Sequence, residues 1–98
     1  MALALLTIDM FSDKVGQAFV IEEPNVQAVE LTLAEVAPLQ NYANAARAPF
    51  SLLFTSQGGT VMPQRTYALR HAALGLQLIF LVPIAGTREK VTYQAIFN

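Results

Sequence analysis

Val29-Glu30-Leu31-Thr32-Leu33 alternates apolar and polar residues without a break. In an extended chain successive side chains point to opposite faces, so Val29, Leu31 and Leu33 line one side and Glu30 and Thr32 the other. That is the pattern of a half-buried strand. The same period recurs on both sides of it. Upstream, Phe19 and Ile21 alternate toward Glu22-Glu23-Pro24-Asn25, a turn signal. Downstream, Phe50, Leu52 and Phe54 oppose Ser51, Leu53 and Thr55, and Tyr67, Leu69 and His71 oppose Thr66, Ala68 and Arg70. Leu76, Leu78, Phe80 and Val82 are assigned as the inward set of a fifth strand, and Val91, Tyr93, Ala95 and Phe97 as that of a sixth. Gln57-Gly58-Gly59-Thr60, Leu74-Gly75 and Ala85-Gly86-Thr87 supply the breaks. Six strands joined mostly by short turns, with no βαβ alternation, predict an all-β fold. An antiparallel meander closed as a small barrel or folded as a two-sheet sandwich fits it.

Two segments depart from this period. Ile8, Phe11 and Val15 fall on one helical stripe, with Thr7 placed to cap it, Asp9 in its first turn and Gly16 to end it. One short helix is therefore expected near the N-terminus. Leu39 to Pro49, rich in Ala, Asn and Gln, reads as a loop with room for one helical turn.

Composition narrows the function. The 98 residues form a single domain, 1–98, long enough for one core without staples. There are no cysteines, so disulfides and thiolate metal sites are excluded, in keeping with a reducing cytoplasm. Six basic residues stand against seven acidic ones, and Lys14, Arg47, Arg65, Arg70, Arg88 and Lys90 are scattered. Nucleic-acid binding requires a clustered basic face, so no nucleic-acid partner is expected. The longest apolar run, residues 78–84, is of strand length and contains Pro83, so no membrane-spanning helix is expected either. The opening residues lack the basic flank of a signal peptide, and the expected location is cytoplasmic.

Charged residues make up 13% of the chain, about half the usual ~25%. The apolar excess appears on the strands. Val20 lies between Phe19 and Ile21, Leu53 between Leu52 and Phe54, Ile79 and Leu81 within the fifth strand, and Ile96 between Ala95 and Phe97. A sheet with one wet face should be polar at those positions. Either the short helix and the 39–49 loop cover them, or they form an interface. Val20, Leu53, Ile79, Leu81 and Ile96 are thus the candidate interface, with a symmetric dimer or another protein as partner. The last strand is an edge available for pairing with another chain.

No catalytic constellation is legible. His71, the lone histidine, has no spaced carboxylates or histidines to share a metal, and a hydrogen-bonded structural role is favoured. Ser12, Ser51 and Ser56 lack a nucleophile elbow. Glu22 and Glu23 point to opposite faces of an extended chain and read as a solvated turn. Gly58-Gly59 lacks the Lys-Ser/Thr of a phosphate loop and reads as a tight turn. Gln64 and Arg65 are placed to bond loop carbonyls or to pair with Glu30 or Glu35; with His71 they form a candidate polar site. No catalytic residue, cofactor or metal ligand is assigned.

Phe50-Ser51-Leu52-Leu53-Phe54, Met62-Pro63-Gln64-Arg65-Thr66-Tyr67, Leu69-Arg70-His71, Leu74-Gly75, residues 79–84 and Tyr93-Gln94-Ala95-Ile96-Phe97-Asn98 also follow a recognisable order. It resembles a family of small uncharacterised bacterial β-domain proteins, with the pattern F-S-L-L-F, L-P-Q-G-T-Y, L-x-H, L-G, L-F-L-V-P and Y-x-A-x-F-N. The likeness covers nearly the whole chain and is strongest over residues 50–98. It implies a stand-alone β domain of unknown function, found beside phage-tail-like proteins, and it transfers no catalytic residue. This chain departs from the pattern at Arg65, where the family has glycine.

The expected function is a non-enzymatic structural or protein-interaction module, an accessory of a phage-tail-like assembly. The alternative is a small-ligand-binding β-barrel. Its interior would be filled by Phe50, Phe54, Phe80 and Phe97, and its site would lie at a mouth near Tyr42, Arg65 and His71.

Overall fold

A computed structural model describes residues 6–25, 27–40, 48–58 and 60–98. Six strands follow the alternating segments: β1 (Ala18–Ile21), β2 (Val29–Pro38), β3 (Phe50–Gln57), β4 (Arg65–His71), β5 (Gly75–Gly86) and β6 (Lys90–Phe97). Every neighbouring pair is antiparallel, and the sheet closes on itself in the order β1-β2-β3-β6-β5-β4. The fold is an all-β barrel rather than a sandwich. Its strand order is two three-stranded meanders, β1-β2-β3 and β4-β5-β6, set side by side.

That order makes β3 and β4 diametrically opposite, so the described residues 60–64 cross one end of the barrel on the way to β4. Two interior tyrosines fasten this strap. Tyr93 Oη accepts the Met62 backbone N–H at 2.9 Å, and Tyr67 Oη donates to the Pro63 carbonyl. Each hydroxyl, carried on a buried tyrosine, thus meets a backbone partner, and a buried hydroxyl left without one costs about 1–3 kcal/mol.

The opposite end is plugged by the N-terminal segment. Phe11 is fully buried, with its ring 6.2 Å from Phe19, 5.9 Å from Phe50 and 6.3 Å from Phe97. Between the two ends lie Ile21, Leu31, Leu33, Leu52, Phe54, Leu69, Ile79, Leu81, Val91 and Ala95, all buried. An interior this narrow is filled by side chains.

The expected helix is only a 3-10 turn, Ile8–Met10. Thr7 is extended and makes no side-chain cap bond. The chain leaves the turn early because the sheet recruits it. Gly16, at φ +89°, donates its N–H to the Leu33 carbonyl at 2.8 Å, and Leu33 donates to the Gln17 carbonyl at 3.0 Å. This happens where the β2–β3 register shifts between Leu33 and Glu35. Val15, expected on the buried stripe, is exposed. Most of the 39–49 loop, and Gly59 of the Gly58-Gly59 turn, lie outside the described residues.

The inward sets of β1, β2, β3, β4 and β6 match the alternation in the sequence, but β5 is inverted. Ile79 and Leu81 point into the barrel and are fully buried, so neither belongs to an interface. Leu76, Leu78 and Phe80, expected inside, lie on the outer face. Phe80 therefore does not fill the interior.

Candidate functional site

Strand β4 carries both ends of the polar site expected from the sequence, and it separates them. Arg65 is its first residue and His71 its last. Six residues at about 3.3 Å each place them about 20 Å apart. They do not form one site. Gln64 precedes β4 on the strap side and is exposed.

At the strap end, Arg65 holds the seam where the barrel closes. The β1–β4 ladder has only two paired positions, Val20 with Arg70 and Ile21 with Leu69. Just past it, Glu22 donates its N–H to the Ala68 carbonyl at 3.0 Å. Arg65 then forks onto Glu23, at 2.7 Å to Oε1 and 3.2 Å to Oε2, while the Ala68 N–H donates to Glu23 Oε2 at 3.0 Å. The guanidinium also lies 3.9 Å above the Tyr67 ring. The Arg65 hydrogen bond and then the Ala68 N–H hold the Glu23 carboxyl below its usual range, against the opposing effect of burial. Glu22, pointing the other way, pairs with Arg70 at 2.7 Å.

Glu22 and Glu23 are therefore the ends of two clamps across the seam and not a solvated turn. The partners of Arg65 expected from the sequence, Glu30 and Glu35, are replaced by Glu23. No local signal marks this, because β1 and β4 lie more than 40 residues apart in sequence. Glu23→Ala should lower the melting temperature more than Glu22→Ala, since Glu23 satisfies a backbone N–H as well as an arginine while Glu22 meets only an exposed guanidinium. Thermal unfolding of the two variants checks the order.

At the plugged end, His71 is buried. Its ring stacks on Phe19 with centroids 4.5 Å apart. Nδ1 accepts two backbone N–H groups, from Ala73 at 3.0 Å and Leu74 at 3.2 Å. The ring proton must then sit on Nε2, which donates to Gln17 Oε1 at 2.6 Å. Burial first, then Lys14, pulls the imidazole below its ordinary pKa, with Asp13 opposing. Stacking on Phe19 favours a charged ring by about 0.5–1 kcal/mol. Protonating Nδ1 would break two backbone hydrogen bonds worth about 0.5–1.5 kcal/mol each and set two donors against a third, so the neutral ring wins.

Beside β2 and β3 an open groove of about 670 Å³ has a mixed wall, in which Ala28 and Val29 stand beside Glu30, Thr32, Thr55 and Gln57. On β5 the outer face is apolar: Leu76 is 48% exposed, Leu78 70% and Phe80 48%. Alternate residues of one strand face are adjacent, so these three form a continuous stripe. Counting back from the Val82–Gln94 pair places Ile96, 54% exposed, beside Phe80. Ala68 of β4 adjoins Leu78, and the Arg70–Glu22 pair borders Leu76.

Of the five interface residues expected from the sequence, only Ile96 lies on this stripe. Val20 is half-buried on the outer face between Glu30 and Arg70, and Leu53 between Glu35 and Gln94, each apart from the stripe among polar neighbours. Among the described residues no group of three or more His, Asp or Glu side chains is placed to hold a metal, and no helix is long and apolar enough to cross a membrane.

A family model matches residues 6–97 of the chain. The chain belongs to the family described as "Domain of unknown function (DUF6916)". The match to DUF6916 takes in all six strands, the strap and Phe11. No curated protein and no solved structure matches the chain.

Proposed function

We propose that this DUF6916 domain is a non-enzymatic protein-interaction module that docks through the outer face of β5, first of all onto a second copy of itself. The observation that carries the reading is the exposed stripe of Leu76, Leu78, Phe80 and Ile96. Contiguous apolar side chains of this size on one strand face are used for contacts. The stripe holds no charge, and its border at Leu76 carries one charge of each sign, Arg70 and Glu22. Two copies can therefore meet without like charges being forced together, and a two-fold contact is the commonest closed arrangement. The setting suggested by the bacterial relatives that the sequence resembles is an accessory role in a phage-tail-like assembly.

The alternative, a small-ligand-binding barrel, needs Tyr42, Arg65 and His71 at one mouth. Tyr42 lies outside the described residues, and Arg65 and His71 stand at opposite ends of β4.

Leu78→Lys tests the interaction reading. It places a charge in the middle of the stripe while leaving the barrel interior untouched. Self-association measured by light scattering should weaken by about 30-fold or more, the equivalent of losing a hot spot of about 2 kcal/mol. The melting temperature should stay within a few degrees of the parent's. A parent protein that stays monomeric at high concentration would remove the second copy as the occupant.

A further inference from the structure

We propose that His71 is a pH-operated latch on the β4–β5 turn: neutral, it ties that turn to the N-terminal segment; protonated, it lets the turn go and loosens the start of the β5 stripe. The link to docking rests on the reading of β5 given above, whereas the latch itself rests on the geometry around the ring.

The turn consists of residues 72–74, closed by Gly75 at φ +71°, and His71 pairs with Gly75 across its base. Two of its backbone N–H groups, those of Ala73 and Leu74, end on Nδ1. With the single ring proton on Nε2, facing Gln17, a second proton has only Nδ1 to go to. Imidazolium has no lone pair there, so both N–H bonds must break and two donors would face a third. The Gln17 bond survives protonation, and Gln77 Nε2 still donates to the Leu74 carbonyl at 2.8 Å. The turn therefore opens locally while the rest of the barrel stays closed.

The groups around the ring leave this balance in place. From the N-terminal segment come Lys14 and Asp13, paired to each other at 2.6 Å and acting on the imidazole in opposite senses. From β1 comes Phe19, and from just before it Gln17, neither of which titrates. The folded imidazole is held below its ordinary value of 6.5. A basic group with a lowered folded pKa stabilises the fold fully above the unfolded value and progressively less as pH falls below it. The latch is thus shut at neutral pH and opens on the acid side of 6.5.

Amide exchange on the whole chain, near pH 7 and near pH 5 and corrected for the intrinsic rate, tests the latch. Protection at Ala73 and Leu74 should fall severalfold at the lower pH, because both N–H groups lose their acceptor, while Leu52 and Phe54 of β3 keep theirs. Ring-nitrogen NMR on the same sample should show Nδ1 unprotonated at neutral pH and titrating below 6.5. In His71→Gln, which cannot titrate, protection at Ala73 and Leu74 should not depend on pH; if that variant does not fold, the ring spectra of the parent decide alone. An Nδ1–H tautomer at neutral pH, or unchanged protection at both pH values, overturns the proposal. Light scattering at the same two pH values separates the two ideas. Unchanged exchange in a dimeric parent sinks the latch and leaves the docking face, whereas pH-dependent exchange in a monomeric parent removes the second copy as the occupant of that face and leaves the latch.

Discussion

Ile79→Lys should abolish the fold, while Leu78→Lys, one residue away, should leave it intact. Ile79 is 1% exposed inside the barrel, across from Tyr67, and Leu78 is on the outer face. Removing a fully buried isoleucine loses about 1.5–3 kcal/mol of burial. Seating an ammonium among Leu69, Leu81 and Tyr67 adds several kcal/mol more, because among the described residues no acidic side chain is buried in the core to pair with it. The sum reaches the about 5–15 kcal/mol that holds a whole domain together. Circular dichroism on the two variants reads the result directly. A folded Ile79→Lys protein alongside an unfolded Leu78→Lys protein would mean that β5 faces the other way.

Phe11→Ala should cost about 3–5 kcal/mol, the usual penalty for emptying a buried aromatic site. Among the described residues, Phe11 is the one ring that touches Phe19 of β1, Phe50 of β3 and Phe97 of β6 together. Its neighbours cannot collapse into the vacated space easily. Phe50 and Phe97 are already stacked on each other at 4.6 Å, and Phe19 is held against His71. Equilibrium urea unfolding measures the loss as a lowered midpoint at unchanged slope. A change below about 1 kcal/mol, the range of a surface substitution, would mean that Phe11 is not the plug.

Most of the barrel was legible because the inward set can be read in five of its strands, with single apolar interruptions at Val20, Leu53 and Ile96. Glu30 and Thr32 between Val29, Leu31 and Leu33 leave no doubt about which way β2 faces. β5 failed for a physical reason. From Leu78 to Ile84 every residue is apolar, so period two carries no sign, and the only polar marker, Gln77, points the wrong way. Gln77 shares the inward parity of Ile79 and Leu81, yet it sits at the barrel's end, where the Leu74 carbonyl satisfies its amide. Inverting that parity put Ile79 and Leu81 on the outer face in place of Leu76, Leu78 and Phe80. The outward placement of Ile96 was legible because Tyr93 and Ala95 fix the sense of β6.

The N-terminal stripe misled in a similar way. Ile8, Phe11 and Val15 have helical spacing, but a stretch so short is marginal as a helix, and the open β2 ladder at Leu33 offers Gly16 and Gln17 hydrogen bonds that a helix does not. The polar site failed because Arg65 and His71 stand at opposite ends of β4, and the partner of Arg65 was missed because β1 meets β4 only by closing the ring. Nothing near Arg65 in the sequence points to Glu23. The hydrogen bonding expected of His71 is present, although its partners, two backbone amides and Gln17, leave no trace in residue spacing.

The strap across the barrel's end sets the order of events when the chain folds. Each half, strands β1 to β3 and β4 to β6, is contiguous in sequence and assembles through neighbouring hairpins on a fast timescale. The two β-ladders that join the halves link residues far apart along the chain, so ring closure bears most of the loop entropy and limits the rate. Until it happens, β1, β3, β4 and β6 are all open edges, and pairing β3 of one chain with β6 of another would give an exchanged dimer built from the native contacts themselves.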